Sequence, residues 1–441
     1  MKKKYKIRLN RKKFRRRMFG FFLAMVLLIG SGIMIVRHFR GISEQNRATS
    51  VRSSDVTYVL RDSGGLKTTD ALKLIEQYFT AYYSSLGTLK PADLTQYYGM
   101  EDSDSYASAR INQAVLNYLI FYRSNGVCDL GFSSCTCGVT ITDAKTDGDR
   151  LEIKLVSDES MQFVGYGDVT SSMCGVEHTF VLKKTSDGYR ILTHIYEDSV
   201  YSELEESLKD ASDNASLSND QIKQLIDQRL SDMESDAKKN LDTYESQRQA
   251  YLADPSGYPL TLNAAYDYKR EDAVAYAEKW VGDTAVIRND SVWETYDYAG
   301  GNCANFVSQC IFAGGIPMDV TGDEIWKWYN DTPDSTSAKS GRSPSWTQVG
   351  YFYDYCTGNS GYGIVAETAN NLYSAEIGDG IMMDWGDGWS HVVLITGIVK
   401  DENGNVVDYL INSNTSDRKN YPLSAYGCVK MSAIRIAGWN K

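Results

Sequence analysis

A chain of 441 residues is too long for one ordinary hydrophobic core and predicts two or three domains. Its composition, 42% hydrophobic and 23% charged, is that of a folded globular protein. The net charge of −11 is unevenly spread: residues 1–40 hold thirteen Lys and Arg and no acid, so residues 41–441 carry −24 (−11 minus 13), which argues against nucleic-acid binding by the body.

Residues 1–17 contain eleven positive charges, and residues 18–36, MFGFFLAMVLLIGSGIMIV, contain none. That uncharged run is long enough for a transmembrane helix. The stronger basic cluster lies before it, so 1–17 is expected to be a cytoplasmic tail and the body to lie outside. The run exceeds the apolar core of a signal peptide, and Arg37 and His38 follow at once, which favours an uncleaved anchor. The expected location is the cell membrane, single-pass, with an extracellular C-terminal body.

Residues 41–56 read as a polar linker. From Thr68 onward, Leu72, Leu74, Ile75, Phe79, Tyr82 and Tyr83 mark a helical face, and a second helix is expected over about 105–123. Short alternating segments follow to about residue 197, with turns at Asp147-Gly148-Asp149 and Ser186-Asp187-Gly188. Helices followed by an antiparallel meander predict an α+β domain over 54–200. Its architecture resembles NTF2-like domains, a likeness without a motif, and it could serve as a surface for a protein partner. Residues 201–256 are polar, with apolar positions at helical spacing, and predict a helical spacer broken near 212–219. The third region, 264–441, opens with an amphipathic helix at about 270–281, its apolar face made by Ala273, Tyr276, Ala277 and Trp280.

The chemistry concentrates in this last region. Gly300 and Gly301 permit a sharp turn into Asn302 and Cys303, after which Phe306, Val307, Cys310 and Ile311 recur at helical spacing. A thiol at a helix N-terminus meets free N–H groups that favour thiolate, the attacking species. The same backbone can hold an oxyanion. Cys310, seven residues on, reads as a core residue. His391 is the only histidine after residue 194 and stands between a glycine-rich turn and an apolar strand, where it can take the thiol proton. A third group should orient its imidazole. Asn414, after the strand 406–411, is the first choice and Asn412 the reserve, since both have the same strand parity. Either could instead cap its own turn.

GGNCANFVSQCIFAGGIPM (300–318), GDGIMMDWGDGWSHVVLITG (378–397) and NSNTSDRKNYPLS (412–424) together resemble the putative amidase domain family of bacterial secreted proteins. That family is related to the NlpC/P60 and CHAP groups of the papain-like superfamily. The resemblance covers about the last 175 residues. It implies a papain-like α+β fold and hydrolysis of an amide bond in or near the cell wall, with Cys303 as nucleophile and His391 as base. Peptidoglycan or another peptide amide is the implied substrate. Two positions depart from the family: it commonly has Asp where this chain has Asn302, and His where this chain has Asn414. The departures motivate a rival reading, a catalytically inactive wall-binding or scaffold protein. A Cys-dependent acyltransferase is the other alternative.

No cofactor or metal is expected. Cys135-Thr136-Cys137 with His178 does not have zinc spacing, and Asp384–Gly388 lacks the spacing of a calcium loop. If Cys303 is free, Cys356–Cys428 is a conceivable disulfide. Trp326, Trp328 and Trp346 flank a polar stretch, 331–345, and either contact a sugar or peptide or anchor the loop.

Overall fold

A computed structural model describes residues 54–212, 217–321, 325–334 and 339–441. The expected basic tail and transmembrane segment lie outside them. Among the described residues, no helix is long and apolar enough to cross a membrane.

The fold is α+β, built on a large and mostly antiparallel sheet. Strand β1 (Asp55–Asp62) comes first, followed by helices α1 (Thr69–Thr88) and α2 (Ser103–Asn125). The meander β2 (Phe132–Asp147), β3 (Arg150–Phe163), β4 (Ser171–Thr185) and β5 (Gly188–Tyr196) follows. Next are α3 (Ser199–Ser212) and the long α4 (Asn219–Ala253). The last region contributes α5 (Arg270–Lys279), α6 (Cys303–Ala313), α7 (Val349–Gly358) and strands β6 (Gly363–Thr368), β7 (Gly380–Asp384), β8 (Trp389–Lys400), β9 (Val406–Ser413), β10 (Asp417–Pro422) and β11 (Lys430–Asn440).

Local sequence explains these elements. Asp102 and Ser105 close a capping box that starts α2, and Ser218 and Gln221 do the same for α4. Along α1, Leu74, Ile75, Tyr78, Phe79 and Tyr83 recur every three or four positions and are buried. The sequence pattern predicts no strand at β1, whose first two residues fall in the stretch 41–56 read as linker. β1 is a parallel edge strand on β2, and its shallow alternation of half-buried and exposed residues is a weak signal.

Strand order is β1-β2-β3-β4-β10-β9-β8-β7-β11-β6, with β5 also on β4. The pairing of β10 with β4, through Asp417–Cys174 to Lys419–Ser172, joins the meander and the last region into one sheet. Two cores lie against it. The smaller includes Ala273, Phe306, Val307, Trp326, Trp346 and, from β8, Val392 and Leu394. The larger includes α1, α2 and α4 residues with Met383, Val393 and Ile395. β8 therefore buries alternate residues in different cores, as strand parity demands.

The tryptophans anchor the loop. Trp326 and Trp346 are fully buried, and their Nε1 groups donate to Ser308 Oγ (3.0 Å) and Asn305 Oδ1 (2.9 Å) on α6. Trp328 donates to Tyr296 Oη at 2.8 Å. The conceivable disulfide is not formed. Cys356 and Cys428 are buried free thiols in different cores, because the sheet separates α7 from the turn before β11.

Candidate active site

Gly300 and Gly301 have φ of 94° and 124°, a region that favours glycine. A Cβ at Gly301 would stand 2.9 Å from Thr415 Oγ1. This close approach lets the Asn302 N–H donate to Thr415 Oγ1 at 2.6 Å, fixing the entry to α6. Thr415 and Ser416 are themselves left-handed, at φ 77° and 47°, so the loop after β9 turns sharply beneath the helix start.

Asn302 is 1% exposed and fully occupied. Its Oδ1 accepts from Tyr296 N (3.1 Å) and Asn305 Nδ2 (2.8 Å), and its Nδ2 donates to Asn414 Oδ1 (2.9 Å). The two departures from the family pattern are thus bonded to each other. Asn414 also donates to Trp280 O (3.3 Å) and Asp417 Oδ1 (3.4 Å). Asp417 is buried and paired with Arg288, which also grips Asp297.

Asn414 therefore does not orient His391, contrary to the expectation from sequence. The left-handed turn at Thr415 carries it to Asn302 instead. The reserve, Asn412, is also committed elsewhere. It donates to Glu278 Oε1 (3.3 Å) and accepts from Asn420 N (2.8 Å) and Thr396 Oγ1 (3.3 Å).

Cys303 is the first residue of α6 and is buried. Burial pushes its thiol up. The backbone N–H groups of Val392, Ala304 and Cys303 itself pull the other way. Sequence position predicts a lowered pKa, but desolvation outweighs the helix terminus here. His391, half-buried, stands just before the buried run of β8 that begins at Val392; it pairs with Met383, and its ring lies 6.3 Å from that of Trp385 and 5.7 Å from that of Tyr426. Burial, and then the Arg418 charge, lower its pKa to about 3, so the imidazole is neutral. Its Nε2 is shut from solvent and has no partner among the described residues.

Cys303 and His391 line one cavity of about 320 Å³. They enter it from the two sides of β8: Cys303 belongs with Val392 in the smaller core, whereas His391 shares parity with Val393. No hydrogen bond joins them; catalytic pairs often tighten only when substrate binds.

Sequence reasoning missed part of this cavity. Glu197, Asp198 and Glu203, from the end of β5 and the start of α3, form one wall, and Arg418 of β10 forms another. Ser416 Oγ donates to Glu197 Oε2 at 3.2 Å across this junction. No periodicity connects residues near 200 to His391. Only the β4–β10 pairing brings them together.

Residues 267–437 match the family model "Putative amidase domain". This segment holds Cys303, His391, Asn414 and Arg418, and its similarity is to hydrolases acting on amides. The chain is also 32% identical over 158 residues to "Uncharacterized protein YhbB" of Bacillus subtilis (strain 168), an overlap of 35% of this chain and 44% of that protein. The chain thus spans less than half the length of that relative. Among solved structures, Kfla4162 protein from Kribbella flavida matches at 18% identity, covering 30% of this chain and 97% of that one, with a TM-score of 0.20.

Proposed function

We propose that the last region is a cysteine amidase of papain-like type, with Cys303 as nucleophile and His391 as base. The observation that carries this is the shared cavity. In it the Cys303 sulfur, at a helix start, lines the same space as a neutral His391 whose Nε2 has no partner among the described residues. A neutral pair suits proton transfer coupled to attack. Cys303 Sγ bonds to the amide carbonyl carbon as its proton passes to His391. The imidazolium then gives that proton to the leaving amine as the C–N bond breaks. Water, deprotonated by His391, cleaves the thioester and returns the thiol. For this the His391 ring must turn toward the sulfur once substrate displaces its present surroundings.

With the charge-free run at 18–36 as an anchor and the body outside, peptidoglycan peptides become the substrates within reach. In the test, purified wall fragments are incubated with the protein and with its Cys303→Ala variant. Release of new amines by the wild type alone is expected. Equal release by Cys303→Ala would overturn the mechanism. Two observations favour a second reading, an inactive binding fold: no hydrogen bond joins Cys303 to His391, and Asn414 and Asn412 are both engaged elsewhere. Wall binding without amine release by the wild type would select it.

A further inference from the structure

Arg418 is the only Lys or Arg among the residues that line the cleft. Its guanidinium lies over the Tyr426 ring at 4.6 Å and the Tyr421 ring at 5.6 Å. Among the described residues it is in no ion pair; the Asp198 carboxylate and the Tyr426 hydroxyl act on it electrostatically, and its Nε is shut from solvent without a hydrogen-bond partner. The acids around the cleft also have partners of their own. Glu203 pairs with Arg229, Glu197 accepts from Ser416 Oγ, and Asp198 caps α3 by accepting from Tyr201 N at 2.9 Å. Arg418 also lines an inner hollow behind the cleft, where the 4% exposed Arg123 is likewise unpaired by any acid among the described residues and leaves Nε and Nη1 unsatisfied. A stacked guanidinium that is in no ion pair and keeps an unsatisfied Nε can present a fork to a planar anion.

We infer that Arg418 is a specificity residue that binds a carboxylate on the substrate, so that the preferred substrates are amides bearing a carboxylate close to the scissile bond. This rests on the cysteine-amidase reading of the same cleft. A carboxylate bound there would also offset the Arg418 charge, which helps keep His391 neutral. Binding and base strength would then rise together, and amides without the carboxylate would be turned over more slowly.

The probes are iodoacetate and iodoacetamide, which alkylate the same thiol and differ chiefly in a carboxylate against a carboxamide. Alkylation of Cys303 is followed by peptide mass spectrometry in the wild type, Arg418→Gln and Arg418→Lys, with glutathione as the reference thiol. The wild type is expected to show an iodoacetate-to-iodoacetamide rate ratio at least about tenfold above that of Arg418→Gln, an advantage that salt weakens. Arg418→Lys, which keeps the charge and loses the fork, should fall between. Equal ratios in wild type and Arg418→Gln overturn the role of Arg418. If Arg418→Gln does not fold, a ratio in the wild type equal to that of glutathione overturns it as well. A Cys303 inert to both reagents across pH contradicts the nucleophile reading itself, which separates the two failures.

Discussion

Asn302→Ala tests whether the asparagine pair holds the start of the nucleophile helix. The substitution removes three side-chain hydrogen bonds, to Tyr296 N, Asn305 Nδ2 and Asn414 Oδ1. Asn305 Nδ2 keeps Glu294 O at 3.0 Å, so two groups are stranded rather than three. With Asn302 1% exposed, each stranded group costs about 1–3 kcal/mol, and the expected loss is about 2–6 kcal/mol. Asn302→Asp keeps both accepted bonds but sets an oxygen against Asn414 Oδ1. A carboxylate at the helix N-terminus offsets about 0.3–1 kcal/mol of that repulsion. The expected stability order is wild type, Asn302→Asp, Asn302→Ala. Urea unfolding followed by tryptophan fluorescence reads it, because Trp293 and Trp346 pack in the same core. A loss below about 1 kcal/mol for Asn302→Ala would refute the claim that this network fixes Cys303.

Three further outcomes are expected. Gly301→Ala should lose about 1–3 kcal/mol in the same assay, since φ is 124° and the new Cβ meets Thr415 Oγ1 at 2.9 Å; a neutral effect would contradict the close approach. Cys303 alkylation by iodoacetamide should keep rising above pH 9, because burial raises the thiol above its ordinary value; a rate already level at pH 7 would mean that the thiolate is stabilised after all. Burial raises Glu159 to about 7, against 4.5 in the unfolded chain, so its stabilisation is present below about pH 4.5 and lost as pH rises through 7. Glu159→Gln should therefore gain about 2 kcal/mol relative to wild type between pH 5 and 8.5, and a difference independent of pH would show that Glu159 is ionised throughout.

What the sequence could and could not convey follows from the range of each signal. The helix beginning at Cys303 has a local cause, two glycines followed by apolar residues three and four apart, and it forms where that pattern says. His391 stands just before the buried run of β8 for the same kind of reason. Asn414 was harder. Strand parity predicts its direction only while the strand lasts, and β9 ends at Ser413, one residue before the chain enters a left-handed turn. The thiol pKa depended on burial, which a helix N-terminus in a sequence does not reveal. Glu197, Asp198 and Arg418 reach the cleft through the pairing of β4 with β10, strands more than two hundred residues apart, and no short-range pattern encodes that contact.

The central claim is a covalent bond between substrate and Cys303. Intact-mass and peptide-mass spectrometry of the protein, acid-quenched during turnover of wall-derived amides, tests it directly. The predicted result is an acyl adduct on the peptide containing Cys303 that appears before free acid and is absent from Cys303→Ala. Turnover at the wild-type rate in Cys303→Ala, with no adduct in either protein, would contradict it.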